Sequence, residues 1–220
     1  MVASVDRFKL NSKGKKPAVK VALVGLLVAS VVTACASLPG SASGNLCSVF
    51  NAKRGWHSSA KSMQARWDIP LHVPMAMMYH ESKFRKKAKP PRRYLLGVIP
   101  WKRRSSAYGY AQAVNGTWAN YRSDTNNRSA SRTNFDDAID FMGWYIDKSS
   151  RLNGISKRDA YRQYLAYHEG WTGYKQRSYE KKKWLQQVAG SVDQLSKRYE
   201  AQYAGCKANL NKGFFRRLLG

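Results

Sequence analysis

Apolar residues recur every three or four positions through most of this chain, and no stretch alternates with period two. That rhythm limits the fold to packed helices. The clearest case follows Asn134, where Phe135, Ala138, Ile139, Met142, Tyr145 and Ile146 share one face, an N-cap residue precedes them and Gly154 sits just past the end. Trp56–Trp67 reads as an earlier helix, closed by Asp68-Ile69-Pro70. Pro74 suits the first turn of the next, which is expected to run to about Phe84. Ser156-Lys157-Arg158-Asp159 reads as a capping-box variant opening a helix from Asp159 to about His168. A last helix carries Trp184, Val188, Val192, Leu195, Tyr199 and Tyr203. Each stripe reads as core, and the expected class is all-α.

The first 35 residues read as a targeting segment. Six Lys/Arg precede Val21–Val32, a nearly unbroken apolar run too short to span a bilayer comfortably. Val32-Thr33-Ala34-Cys35 resembles the lipobox of bacterial lipoproteins, which implies lipid on Cys35 and an envelope location. Ala36, rather than Asp, follows the cysteine, which by the same analogy favours the outer membrane facing the periplasm. Residues 36–46 read as a flexible tether, 47–206 as one domain and 207–220 as a basic tail, a disordered, solvated end rather than a short amphipathic helix on a membrane surface. With Cys35 lipidated, Cys47 and Cys206 remain, one near each end of the domain. In an exported chain such a pair reads as a disulfide, two free thiols being the alternative.

The formal charge is +26. Removing the leader takes away six Lys/Arg and one Asp and leaves +21 on 185 residues. Such a balance attracts polyanions. Export and the lack of any recognisable base-reading motif argue against nucleic acid. Wall-peptide carboxylates and lipid headgroups stay open.

Glu81 stands at the end of an apolar stretch, Val73-Pro74-Met75-Ala76-Met77-Met78, in Tyr79-His80-Glu81-Ser82-Lys83-Phe84. A carboxylate against apolar side chains loses hydration and its pKa rises, so it can stay protonated near neutral pH and serve as a general acid. Two further segments follow in order. One is Tyr108-Gly109-Tyr110-Ala111-Gln112 with Asn115-Gly116-Thr117-Trp118, the other Tyr164-Leu165-Ala166-Tyr167-His168-Glu169-Gly170. Together the three resemble the catalytic domain of the soluble-lytic-transglycosylase-like family, which has a Glu-Ser pair, a Gly-Leu-Met-Gln motif and an Ala-Tyr-Asn-x-Gly motif on a goose-lysozyme-like fold. Here Tyr110-Ala111 replaces Leu-Met, His168 replaces Asn, and 27 positions separate Ser82 from Gly109, a longer spacer than is usual.

The resemblance implies a single helical, goose-type lysozyme-like domain with a basic insertion loop. It implies peptidoglycan glycan strands as partner and no cofactor. Glu81 would act as acid on the bond between N-acetylmuramic acid and N-acetylglucosamine, then as base, closing a 1,6-anhydro ring on the muramyl residue. Ser82, Gly109, Tyr110, Gln112, Tyr167 and His168 are the expected substrate-binding residues. Tyr167 can reach either the carboxyl or sugar region or a backbone partner, and Ser82 either the carboxylate or its own helix. Gly109 would allow a tight turn or a close approach of glycan. A lysozyme-like hydrolase and a non-catalytic wall-binding lipoprotein are the alternatives.

Glu169 is the rival carboxylate, expected to be solvated at a helix end, with Asp124, Asp136, Asp137 and Asp140 behind it. His57, His72, His80 and His168 show no metal-ligand spacing, and no metal is expected; His80 reads as a packing or surface residue. Arg85–Ser106, with Trp101, reads as either a lid over the glycan or a solvated loop. A monomer is expected.

Overall fold

A computed structural model describes residues 44–95, 99–103 and 105–215. The leader, Cys35 and most of the tether lie outside them, as do the last five residues. The elements run α1 (Leu46–Ala52), α2 (Trp56–Trp67), α3 (His72–Ser82), β1 (Arg92–Leu95), β2 (Ile99–Arg103), α4 (Asn115–Asp124), α5 (Phe135–Asn153), α6 (Ala160–Lys175), a short 3-10 helix (Ser178–Lys181) and α7 (Lys183–Phe215).

The centre is α3. Val73 to Met78 are all buried, so this helix is apolar around its whole circumference and must be enclosed by others. Packed on it are α5, α6 and α7. The 33-residue α7, roughly 50 Å long at 1.5 Å per residue, also packs on α6 and α1. On the other side α2 lies against α5. There Gly143 lets the two helices close up, because a Cβ at that position would collide with the Trp67 ring and the Met63 side chain. Trp67 Nε1 then donates to Asp140 at 2.8 Å.

Caps explain the boundaries. Asn134 accepts from the N–H groups of Asp136 and Asp137, and Gly154 takes the left-handed conformation after α5. The α6 cap is Asp159, which accepts from Arg162 N, rather than Ser156. Asp159 is the residue whose side chain faces the orphan amides, and Ser156 lies one turn too early. The helix also continues past His168 to Lys175 across a kink at Gly170.

Four other expectations are corrected. Folded structure begins at Leu46, which is buried, with Asn45 as the α1 cap. The basic tail is helical as far as Phe215, because it continues an α7 already anchored by its core face. The Arg85–Ser106 insertion is not a simple loop in its backbone: β1 and β2 pair antiparallel, with Tyr94 opposite Pro100 and Leu95 opposite Ile99. Finally, Trp184 is 53% exposed, and the residues α7 buries start instead at Leu185 and continue through Ala189, Val192, Leu195 and Tyr199.

Cys47 and Cys206 form a disulfide that closes a span of 159 positions and fixes α1 to α7.

Candidate active site

Glu81 lies in the last turn of α3, where the helix leaves the core. Burial pushes its carboxyl up to about 7, against the smaller opposing effect of a hydrogen bond from the Tyr164 hydroxyl. Position adds to burial: the carbonyl end of a helix carries partial negative charge and disfavours a second one. The residue as a whole keeps partial exposure while its carboxyl is desolvated.

The chain reverses immediately afterwards. Lys83 and Phe84 both take positive φ, 53° and 58°, a conformation that L residues with bulky side chains adopt at a cost. This strain is offset by aromatic packing. Phe84 is buried against Trp56 (5.7 Å) and Tyr79 (5.6 Å), while Lys83 turns outward with its ammonium 4.0 Å from the Tyr79 ring. The tight reversal leaves the Glu81 turn at an edge instead of continuing the helix over it.

The three sequence segments meet here. Tyr164, from the third, hydrogen-bonds Glu81 of the first. The Tyr167 hydroxyl donates to the carbonyl of Ala111 in the second. Of the two partners open to Tyr167, the structure therefore selects the backbone. The residue that touches the carboxyl is Tyr164, which the motifs do not single out. Helical spacing could have found it, since residues three apart on a helix share a face and Tyr167 lies on the face expected at the site. His80 packs, as expected, with its ring edge-on to that of Tyr164 at 6.3 Å. Burial, with Lys83 and Arg198 nearby, lowers the His80 pKa to about 4, so its ring stays neutral.

Several expected substrate contacts are occupied by the fold. Ser82 is buried and donates to Met78 O, so it serves its own helix. Tyr110 is buried edge-on against Trp56 and Phe135. The Gln112 amide donates to Ala88 O and Gly109 O, both at 2.9 Å, and so closes the turn rather than meeting a sugar through its nitrogen. Gly109, at φ 79°, approaches the Arg132 carbonyl so closely that any Cβ would overlap it. The close approach is to backbone, not to glycan. These residues build the floor that carries Ala111 to Tyr167. His168 remains outward, with Nδ1 3.0 Å from Glu169.

Glu169 is not solvated: its side chain is 3% exposed. Burial alone would raise its pKa. Hydrogen bonds from Lys182, Ser178 and His168 hold it at about 2 instead. A carboxylate spent on these partners is a poor base. The remaining candidates are engaged too, Asp124 by Trp144 and Lys148, Asp136 by Ser59, Asp137 by Ser131, and Asp140 by Arg66, Trp67 and Tyr121. The other histidines serve packing: His57 bonds Tyr203, and His72 bonds Ser196 beside Glu200. Among the described residues no group of three His, Cys, Asp or Glu side chains is placed to hold a metal ion.

The frame is mostly helical, consistent with a lysozyme-like domain, and carries the Glu81 carboxyl at the end of its central helix. A family model described as a transglycosylase SLT domain matches residues 23–206, and the chain belongs to that family. No curated protein matches it, and no solved structure does.

Removing the Tyr164 hydroxyl tests the pairing directly. That bond stabilises the ionised form of Glu81, so Tyr164→Phe should raise the Glu81 pKa further. The alkaline limb of the rate profile then moves to higher pH while the maximal rate falls. A limb left in place would separate Tyr164 from the acid.

Proposed function

We propose that this protein is a lytic transglycosylase that cleaves the β-1,4 bond from N-acetylmuramic acid to N-acetylglucosamine and leaves a 1,6-anhydro-muramyl end. The observation that carries the reading is the Glu81 carboxyl, held near pKa 7 beside Tyr164, while the rival Glu169 is tied up by Lys182, Ser178 and His168.

Protonated Glu81 gives its proton to the bridging oxygen as the bond from C1 breaks. The substrate's own N-acetyl oxygen stabilises the cationic C1. The carboxylate then takes the proton from the C6 hydroxyl, and the C1–O6 bond closes. One group acts in turn as acid and base, which suits a pKa near the working pH. No water is consumed. Inverting hydrolysis would instead need a second carboxylate to activate water, and the rival Glu169 is bound to Lys182 and Ser178.

Mass spectrometry of a peptidoglycan digest tests the proposal. Anhydro-muramyl products, lighter by one water than hydrolytic ones, are expected. Hydrated reducing ends would make the enzyme a hydrolase, and no products at all would leave a wall-binding protein.

We further infer from the leader that Cys35 carries lipid and anchors the domain in the envelope, with residues 36–43 as tether. Labelled palmitate should enter the wild type and be absent from Cys35→Ser. Equal labelling of both would remove the anchor.

A further inference from the structure

The face of α6 that meets Glu81 continues beyond Tyr164. His168 follows about one turn later, about 6 Å along the axis, and its ring meets the indole of Trp184 edge-on at 5.1 Å and 80°. Trp184 is the one exposed Phe, Tyr or Trp among the residues whose side chains are described. It stands at the start of α7, where the expected core stripe would have buried it.

The segments that carry the two rings are tied together. Lys182, two residues before Trp184, pairs with both Glu169 oxygens at 2.8 and 2.9 Å. Ser178 donates to the same carboxylate, and His168 Nδ1 lies 3.0 Å from it. A nearly inaccessible carboxylate thus ties α6, just before its kink at Gly170, to the turn that leads into α7, with His168 beside Trp184. Leaving a large indole in water forgoes the gain from burying it. Here the exposed ring also sits against His168, whose own position is tied to Glu169, so part of the ordering that binding requires is already in place.

We propose that His168 and Trp184 form a stacking subsite for a pyranose ring of the glycan strand, further along the strand than the bond that Glu81 cleaves. The inference rests on the glycan-cleaving reading above. Pyranoses present a face of C–H bonds that packs on an indole, rimmed by hydroxyls. With Nδ1 turned to Glu169, His168 keeps Nε2 for such a hydroxyl. Continuity with the Glu81–Tyr164 pair along one helix face selects the strand itself as occupant. The rival Glu169 becomes a positioning residue for this subsite.

The test uses glycan strands stripped of peptides. Binding is measured with Glu81→Gln alone and combined with Trp184→Ala. Cleavage is measured with the wild type, Trp184→Ala and Trp184→Phe. Loss of the indole should weaken binding on the order of ten-fold and raise KM while kcat holds, with Phe restoring much of both. If Trp184→Ala binds and cleaves as the wild type does, the subsite is overturned and the cleavage reading stands. Trp184-dependent binding without any cleavage would support the subsite and remove the enzyme reading. Strands that bind neither protein would overturn both.

Discussion

Glu81→Gln should reduce glycan cleavage by at least roughly 10²–10⁴-fold, the usual contribution of a general acid, while binding of the strand is kept. The amide has the same shape and can still accept from Tyr164, but it has no proton to give. The same change should stabilise the protein at alkaline pH. In the unfolded chain this Glu ionises near 4.5 and in the native state near 7. Between those values the unfolded state binds fewer protons, so native stability falls as pH rises through the window. The full loss is on the order of 3 kcal/mol at about 1.36 kcal/mol per pKa unit. Gln has no such loss. At pH 8 the variant should therefore melt higher than the wild type, and at pH 4 the two should coincide. An acid kept neutral for chemistry is an ionisation liability for the fold, and the paired measurement detects both. Full cleavage by the variant would remove Glu81 from the reaction.

Reducing the Cys47–Cys206 disulfide should have the largest effect on stability. For a loop of this length the chain-entropy model gives about 5 kcal/mol, and native bridges commonly deliver roughly 2–5. For a domain of this size that is roughly 5–20 °C in Tm. The effect falls first on α1. Seven residues do not hold a helix alone, and this one depends on burying Leu46, Val49 and Phe50 and on its attachment to α7. The helices that carry Glu81 and Tyr164, α3 and α6, pack on α7 independently of α1. Below its new midpoint the reduced protein should still cleave. An unchanged Tm in reductant would mean that the bridge adds nothing.

What the amino-acid order reveals by itself is largely local. Asn134 and Gly154 delimit α5 because caps and αL termini act within a turn, and the α3 run announces a buried helix because no face of it is polar. The strands are not legible in the same way, since β1 and β2 are rich in Arg with a Pro in the pairing and show no alternation. The raised carboxyl of Glu81 is legible from its apolar neighbours. Its companions are less so, because the roles of Gly109, Tyr110 and Gln112 depend on partners distant in sequence, namely Arg132, Trp56 with Phe135, and Ala88. Glu169 illustrates the same limit. Nothing within its own turn predicts that Lys182 and Ser178 fold back to hold it at about pKa 2. Spacing alone places Trp184 in the core, whereas the start of α7 lies beyond the end of the buried face.

The pH dependence of kcat/KM on purified peptidoglycan tests the central claim most directly, since it reports the acid in the free enzyme. The account predicts a profile whose alkaline limb falls with an apparent pKa near 7, displaced upward in Tyr164→Phe and abolished with activity in Glu81→Gln. A rate that stays level from about pH 5 to 9 would contradict it.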